Sequence, residues 1–576
     1  MIALNQVGYF TDGPKRATLI GAGELPVAWE LVDSAGAVVA RGSAKPAGLD
    51  PTVGQSVQLI DFSSFDVEGR FGLRAAGAES DPVIIGANLY DGMLYDALNL
   101  FHLMRSGCEI GPEVGGPEYA RPAGHIDVAP NQGDGAVRPL AQGAAINRDG
   151  VDLYAGWGGG DYTVDGRGGW YDAGDMGKYV VNGGISTAQL LGIVEREARL
   201  GNDLGPGSVA AKALAEAKWE LDWMSRMQLP VTDSAGSPVE LGGMVHHKLH
   251  DAHWTSIPTL PAEDPEPRHV HRPSTAATLN LAATAAQMAR VVRVSDPAYS
   301  VKILEVARTA YQAAKVWPVL LAPDTNTIDN FGAGPYDDVE IEDEFYWAAA
   351  ELFLTAGDAE YLNDIQANSY HLGGAKNAFT EVGFDWRDVA AWARMQLALV
   401  DSELPDRAAV ADSVVGAADA LIAANPPFGQ LYNPAGGQYA WGSNGMIANN
   451  GAIVAAAYEA TGDAKYREAA LSSLDYLLGR NALGLSYVTG YGVRDVHNQH
   501  SRWFAHAVDP TLPNPPAGTL SGGPNSGVQD PIVAHLAGEP AQLCFADDIA
   551  SFATNEMTIN WNAALAYLLA FASNEG

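Results

Sequence analysis

Asp172 and Asp175 stand three residues apart in the run Gly168-Gly169-Trp170-Tyr171-Asp172-Ala173-Gly174-Asp175. Two carboxylates so close on a Gly-rich turn, beside two aromatic rings, are candidates for acid–base work. The same turn leads into an amphipathic run that extends to about Leu200. Both acids therefore also read as helix-start residues, where free N–H groups and the helix dipole favour negative charge. The adjoining Trp170 and Tyr171 are flat rings of the kind that stack on sugar faces, and Tyr171 is expected to form part of a binding floor. A further carboxylate, Glu556, sits in Thr554-Asn555-Glu556-Met557 ahead of the apolar run 563–572, again reading as a helix start. One proton-donating and one proton-accepting carboxyl group, roughly 6.5–9.5 Å apart, is the equipment for cleaving a glycosidic bond by direct attack of water.

Such residues need a large scaffold, and the chain provides one. It has 576 residues, 47% of them hydrophobic, which is enough for two domains. Residues 1–86 carry short alternating runs punctuated by Gly and Pro, such as 17–20, 27–32, 38–40, 56–60, 71–74 and 82–85. That spacing predicts an antiparallel β-sandwich. From residue 87 onward the period becomes helical. Helices are expected at about 88–107, 177–200, 207–228, 273–294, 297–316, 341–357, 359–368, 384–400, 407–424, 446–462, 464–479 and 556–573. Twelve helices with no strand run between them predict an all-α (α/α)6 barrel for residues 87–576. Long loops at 108–170, 229–272, 318–340, 425–445 and 480–555 hold most of the aromatic and His-rich motifs, so the cleft is expected among them.

The formal charge is −35, from 34 basic and 69 acidic side chains. A surface of that sign repels phosphate backbones and anionic membranes, which excludes nucleic acid and lipid head groups as natural partners and leaves a neutral polysaccharide unaffected. Two cysteines, Cys108 and Cys544, exclude a disulfide-rich scaffold. No apolar stretch reaches the roughly 18 residues of a membrane span. The first residues already read as a strand, so the expectation is a secreted monomer whose leader has been removed, with an intracellular location as the alternative.

Longer motifs add a resemblance. GGWYDAGDMGKYVVNGG (168–184) and TNEMTINWNAALAYLLAF (554–571) resemble the two signatures of glycoside hydrolase family 9, the inverting cellulase family. IALNQVGYF (2–10) is similar to that family's N-terminal immunoglobulin-like module. MVHHKLHDAHWTSIP (244–258), GPYDDVEIEDEFYWAAAELFLTAGD (334–358) and SYVTGYG (486–492) follow in the family's order. The resemblance implies Glu556 as general acid and Asp175 as base, with Asp172 helping to hold the water. It carries over His500 and Arg502 from a His-His-Arg pattern in which Ser501 replaces the middle residue, and Trp441 as a stacking platform. Trp254 and Tyr491, with Tyr487, are further aromatic candidates. His246 and His247 look like a metal pair but have no matching Cys or carboxylate, and read as loop residues.

No cofactor is needed for the chemistry. Many family members hold a structural zinc on two Cys and two His. Cys108 and His125 match that pattern, but Gly124 stands where the second Cys belongs, so no zinc is expected. The resemblance implies a structural calcium at Asp343-Glu344, the Asp-Glu pair at a helix start, with Asp388 as a partner, and oxygen ligands of this kind suit a hard cation. The implied activity is hydrolysis of β-1,4-glucan: cellulose chains, mixed-linkage glucan or cello-oligosaccharides. The alternative is an exo-acting glycosidase on short oligosaccharides, including glucosamine-type ones. The lack of a binding module after residue 576 is expected to favour soluble or short chains. A non-catalytic sugar binder would require loss of a carboxylate, and all three are present.

Overall fold

In the computed structural model all residues are described except Gly158, Gly160, Glu381, Asn425 and Gly576, so the expected second domain is followed to Glu575. Ten strands come first: β1 (Ile2–Ala3), β2 (Tyr9–Phe10), β3 (Arg16–Ile20), β4 (Ala28–Val32), β5 (Val38–Ser43), β6 (Lys45–Asp50), β7 (Gln55–Asp61), β8 (Gly69–Ala75), β9 (Ala78–Glu79) and β10 (Val83–Gly86). They form two sheets, β1-β3-β7-β6 and β2-β10-β8-β4-β5, with β9 paired to β8. Inward side chains such as Leu19, Trp29, Leu31, Ile60, Phe62, Leu73 and Val83 fill the space between them. The sandwich departs from the expected antiparallel pattern at one place, where β2 runs parallel to β10. Strand β6 was not signalled by its sequence because it contains Pro46 and Gly48. Its outer place beside β7 tolerates both.

Among the described residues twelve longer helices follow: α1 (Asp91–Leu103), α2 (Val180–Leu200), α3 (Val209–Arg226), α4 (Thr275–Val291), α5 (Pro297–Val316), α6 (Glu342–Ala356), α7 (Ala359–Ala367), α8 (Ala390–Leu399), α9 (Arg407–Ala424), α10 (Ser443–Thr461), α11 (Ala464–Leu477) and, after the single turn α12 (Phe552–Asn555), α13 (Ile559–Ser573). Helices α2, α4, α6, α8, α10 and α13 each pack on the next and close into a ring, with α1, α3, α5, α7, α9 and α11 outside it. The ring helices are buried almost all round, which is why the Ala-rich α4 and α13 show no polar face. This is an (α/α)6 barrel. Short strands that sequence periodicity did not signal run through its loops: β11 (Lys178–Tyr179), β12 (Val245–His246), β13 (Lys248–Asp251), β14 (Arg268–Val270) and β15 (Pro273–Ser274). Three of them, β11-β13-β14, form a small sheet beside the start of α2.

The sandwich shares its edge with the barrel. Ala3, Phe10, Ile20, Val53 and Val57 belong to the barrel's hydrophobic cluster, and Phe10 meets Tyr90 edge-on at 5.2 Å. Asn5 Nδ2 donates to Asp475 Oδ1 on α11 at 2.9 Å, and Gln6 Nε2 to the Gly484 carbonyl at 2.8 Å.

Candidate active site

The turn that carries the two aspartates is not the first turn of a helix. Helix α2 begins at Val180 with Tyr179 as its cap, and β11 intervenes. The turn is tied instead across the structure: Asp172 N–H donates to the Gly177 carbonyl at 2.9 Å, and Ile559 N–H, at the start of α13, donates to the Asp172 carbonyl at 2.9 Å. Gly174 is required by close approach, because a Cβ there would strike the His500 backbone. Its carbonyl accepts from both Arg502 N–H and Arg502 Nη1 at 3.0 Å. Two chain segments more than 300 residues apart are thereby locked together.

Each aspartate has named donors. Asp172 Oδ1 accepts from Asn182 Nδ2 and Oδ2 from the Tyr336 hydroxyl, both at 2.8 Å. Asp175 Oδ2 accepts from Gly177 N–H and the Tyr179 hydroxyl, both at 3.2 Å. Among the described residues Asp175 Oδ1 has no donor, which leaves it available to a water or substrate. Burial, and then the neighbouring Asp175 charge, push the Asp172 carboxyl up to about 7, while Asn182 and Tyr336 act in the opposite direction.

Glu556 also departs from its expected place. It follows α12 in extended conformation, and the side chain that caps α13 is Thr558. The Glu556 backbone pairs with the His500 segment: His500 N–H donates to the Asn555 carbonyl at 2.8 Å, and Gly522 N–H to the Glu556 carbonyl at 2.8 Å. Burial, then the charge of Asp175, raises the Glu556 carboxyl to about 8, with Arg502 opposing. At neutral pH this group keeps its proton.

His500 joins the two ends of the site. Its Nδ1–H donates to the Ile549 carbonyl at 2.7 Å, so Nε2 carries the lone pair and accepts from Arg502 Nη1 at 3.3 Å. Burial and the Arg502 charge lower its pKa to about 4, so the ring is neutral. Phe552 packs against His500 at 5.9 Å and against Trp441 at 6.0 Å, while Arg502 lies over the Trp254 ring at 5.4 Å. Trp441 and Trp254 are 39% and 40% exposed, enough for a sugar face.

Other expected contacts are not made. Tyr171 and Trp170 are fully buried. Tyr171 N–H donates to the Met104 carbonyl at the end of α1, which turns the ring inward to His125 Nδ1 at 2.7 Å, so it supports the turn and is no floor. Tyr491 donates to Asp96 at 2.7 Å, about two turns back along α1 from Met104, next to the segment bound by Gln6 of the sandwich. It belongs to the domain junction. Tyr487 is a core residue. His246 and His247 are buried and hydrogen-bonded, to the His271 carbonyl and to Ser274 and the Tyr336 carbonyl. Sequence reasoning missed Tyr179, Asn182 and Tyr336, although Tyr179 and Asn182 lie inside the motif that named the aspartates.

A second acidic cluster lies at the start of α6. Asp338 Oδ2, Asp343 Oδ1 and both Glu344 oxygens are buried without a hydrogen-bond partner. Asp388, exposed ahead of α8, is near enough to repel Asp343, whose other oxygen accepts from Val389 N–H at 2.8 Å. Burial and then mutual repulsion raise Asp338, Asp343 and Glu344, while Asp388 is raised by burial and by Glu340 against the charge of Arg387. Unpartnered carboxylate oxygens fit a hard cation. Of the two residues matching the zinc pattern, Cys108 is a free thiol, and His125 meets Tyr171 and Asp264, the latter at 3.1 Å. Asp251 also approaches His125, but Arg268 pairs with it and with Asp134.

Residues 90–569 match the model of glycosyl hydrolase family 9, and residues 1–80 that of the cellulase N-terminal ig-like domain. The chain belongs to glycosyl hydrolase family 9. It is 47% identical to endoglucanase C of Cellulomonas fimi over 100% of its own length and 52% of that protein's. It is 38% identical to the cellulose 1,4-beta-cellobiosidase of Acetivibrio thermocellus, over 99% and 67% respectively. The chain thus spans about half of the first relative and about two thirds of the second. Among solved structures, a thermostable endoglucanase from Alicyclobacillus acidocaldarius superposes with a TM-score of 0.82 at 28% identity, covering 100% of this chain and 99% of that one. These matches include both the barrel and the sandwich, so the family 9 chain shares a two-domain arrangement with them.

Proposed function

We propose that this family 9 chain is an inverting β-1,4-glucan hydrolase of the cellulase type, acting on cellulose chains, mixed-linkage glucan or cello-oligosaccharides. The observation that carries the reading is the contrast between Glu556, held protonated by burial and by Asp175, and Asp175, which has one oxygen free beside it. Glu556 gives its proton to the glycosidic oxygen as that bond breaks. Asp175 takes a proton from the water that attacks the anomeric carbon from the opposite face, and Asp172, anchored by Asn182 and Tyr336, holds the water. Trp441 and Trp254 stack on sugars on either side of His500 and Arg502. One chain supplies every group, so the enzyme is proposed to work as a monomer. A polymeric glucan is met outside the cell, and secretion follows from that substrate. No described helix is long and apolar enough to cross a membrane.

Calcium on Asp338, Asp343, Glu344 and Asp388 is proposed as structural, supplying positive charge to oxygens that have no donor. Zinc has no part in the proposal. Product analysis on carboxymethyl-cellulose, cellotetraose and chitosan oligomers tests the substrate class. The expected result is cleavage of both glucans and none of chitosan. Cleavage of chitosan oligomers alone would replace this reading with the exo-glucosaminidase alternative. Release of a single short product from cellotetraose with no fall in carboxymethyl-cellulose viscosity would establish exo action.

A further inference from the structure

Lys248 is buried at 1% exposure, and no carboxylate among the described residues pairs with it. A buried ammonium without a counter-charge is costly. Burial pushes its pKa down to about 7 despite the charges of Asp337, Asp175 and Asp324 nearby. Its three N–H donors are all spent on one segment: Thr325 Oγ1 at 3.0 Å, the Gly334 carbonyl at 2.7 Å and the Pro335 carbonyl at 3.1 Å. That segment leads directly to the aspartates. Gly334 N–H donates at 3.0 Å to the Tyr179 hydroxyl, which donates to Asp175. Tyr336, next after Pro335, donates to Asp172 and lies against Tyr179 at 4.5 Å and Trp386 at 5.1 Å.

Tyr336 has φ +43°, a left-handed conformation that an aromatic residue takes only when its surroundings impose it. The surroundings here are the Lys248 bonds to the two preceding carbonyls and a His247 Nε2 bond to Tyr336's own carbonyl at 2.8 Å. Lys248 and His247 come from the same β-segment, and Lys248 faces Tyr179 in the β11–β13 register.

We propose that Lys248 is a positioning residue for hydrolysis: it pins residues 325–336 so that Tyr336 and Tyr179 present their hydroxyls to Asp172 and Asp175. The inference rests on the roles given above to those aspartates. If it is correct, losing the ammonium and losing the Tyr336 hydroxyl injure the same step, because one acts through the other. The test is a double-mutant cycle of Lys248→Met and Tyr336→Phe, with kcat and KM on cellotetraose measured well below each variant's own Tm. Lys248→Met is expected to lower kcat about 10- to 100-fold with KM nearly unchanged, since small misplacements of reacting groups cost that much. Tyr336→Phe is expected to lower kcat by a smaller factor, and the double variant to lose no more than Lys248→Met alone. Losses that multiply would show independent action and overturn the proposal. A Lys248→Met protein with a lower Tm but wild-type kcat would overturn it too, leaving Lys248 as a fold-stabilising residue. If Lys248→Met does not fold, Thr325→Val removes one acceptor and enters the same cycle, and an unchanged kcat there contradicts the proposal. A wild-type protein inactive on every glucan would refute the hydrolase reading itself, an outcome distinct from these.

Discussion

Two groups of buried carboxylates stand in the barrel's loops, and they are furnished in opposite ways. At the turn of the two aspartates each receives donors chosen by fold: Asn182 and Tyr336 for Asp172, Gly177 and Tyr179 for Asp175. At the start of α6, Asp338, Asp343 and Glu344 keep four oxygens with no donor at all. Burial raises carboxyls in both places. In the first, hydrogen bonds fix the aspartates' geometry, while burial and then the charge of Asp175 keep the proton on Glu556. In the second, Arg387 stands 3.8 Å from Asp338, and further positive charge would relieve the repulsion that remains. A carboxylate cluster is thus read by its donors more than by its acids.

The largest effect expected from breaking this contrast is on turnover. Glu556→Gln and Asp175→Asn each delete a proton-transfer group and should lower kcat on unactivated glucan by about 10²–10⁴-fold or more, with Tm close to wild type. Near-normal activity in either variant would reassign that role. Next comes pH. Glu556 must be protonated to act, and its carboxyl is raised to about 8. The profile of kcat/KM should therefore fall as pH rises through about 8, on a limb reporting the free enzyme. An alkaline limb near the ordinary glutamate value of about 4.3 would contradict the environment described for Glu556.

The smallest effect is on stability at the second cluster. Its carboxyls are raised in the folded chain, so without metal the native state holds more protons than the unfolded state. Stability is then fully present below the unfolded values near pH 4 and is lost as pH rises through the raised folded ones. Calcium should reverse that loss, and at 100 times its Kd would add about 2.7 kcal/mol. Glu344→Gln should raise Tm in chelator at neutral pH and weaken the calcium response. A Tm indifferent to millimolar calcium would remove the cation from the account.

The pattern of the twelve helices was legible because each buries a stripe or a whole surface, and periodicity reports burial directly. The three carboxylates were legible as motif residues. Their settings were not. Asp172, Asp175 and Glu556 were expected in first helical turns, yet they sit in extended or turn conformations ahead of helices, held by partners from distant segments. Tyr171 was misjudged because chain adjacency to Asp172 says nothing of direction, and the Met104 contact turns it inward. Tyr336 could not be found locally, since its role depends on a left-handed backbone fixed by Lys248 and His247 some ninety residues earlier. Tyr491 shows the converse: an aromatic in a family motif that serves the domain junction.

The division of labour between Glu556 and Asp175 is tested most directly by following hydrolysis of a cello-oligosaccharide with proton NMR during its first minutes, before mutarotation. Direct attack of water from the face opposite the leaving group predicts that the α-anomer appears first at the newly formed end. Early accumulation of the β-anomer would require a covalent glycosyl intermediate, and would contradict a mechanism in which Asp175 acts on water.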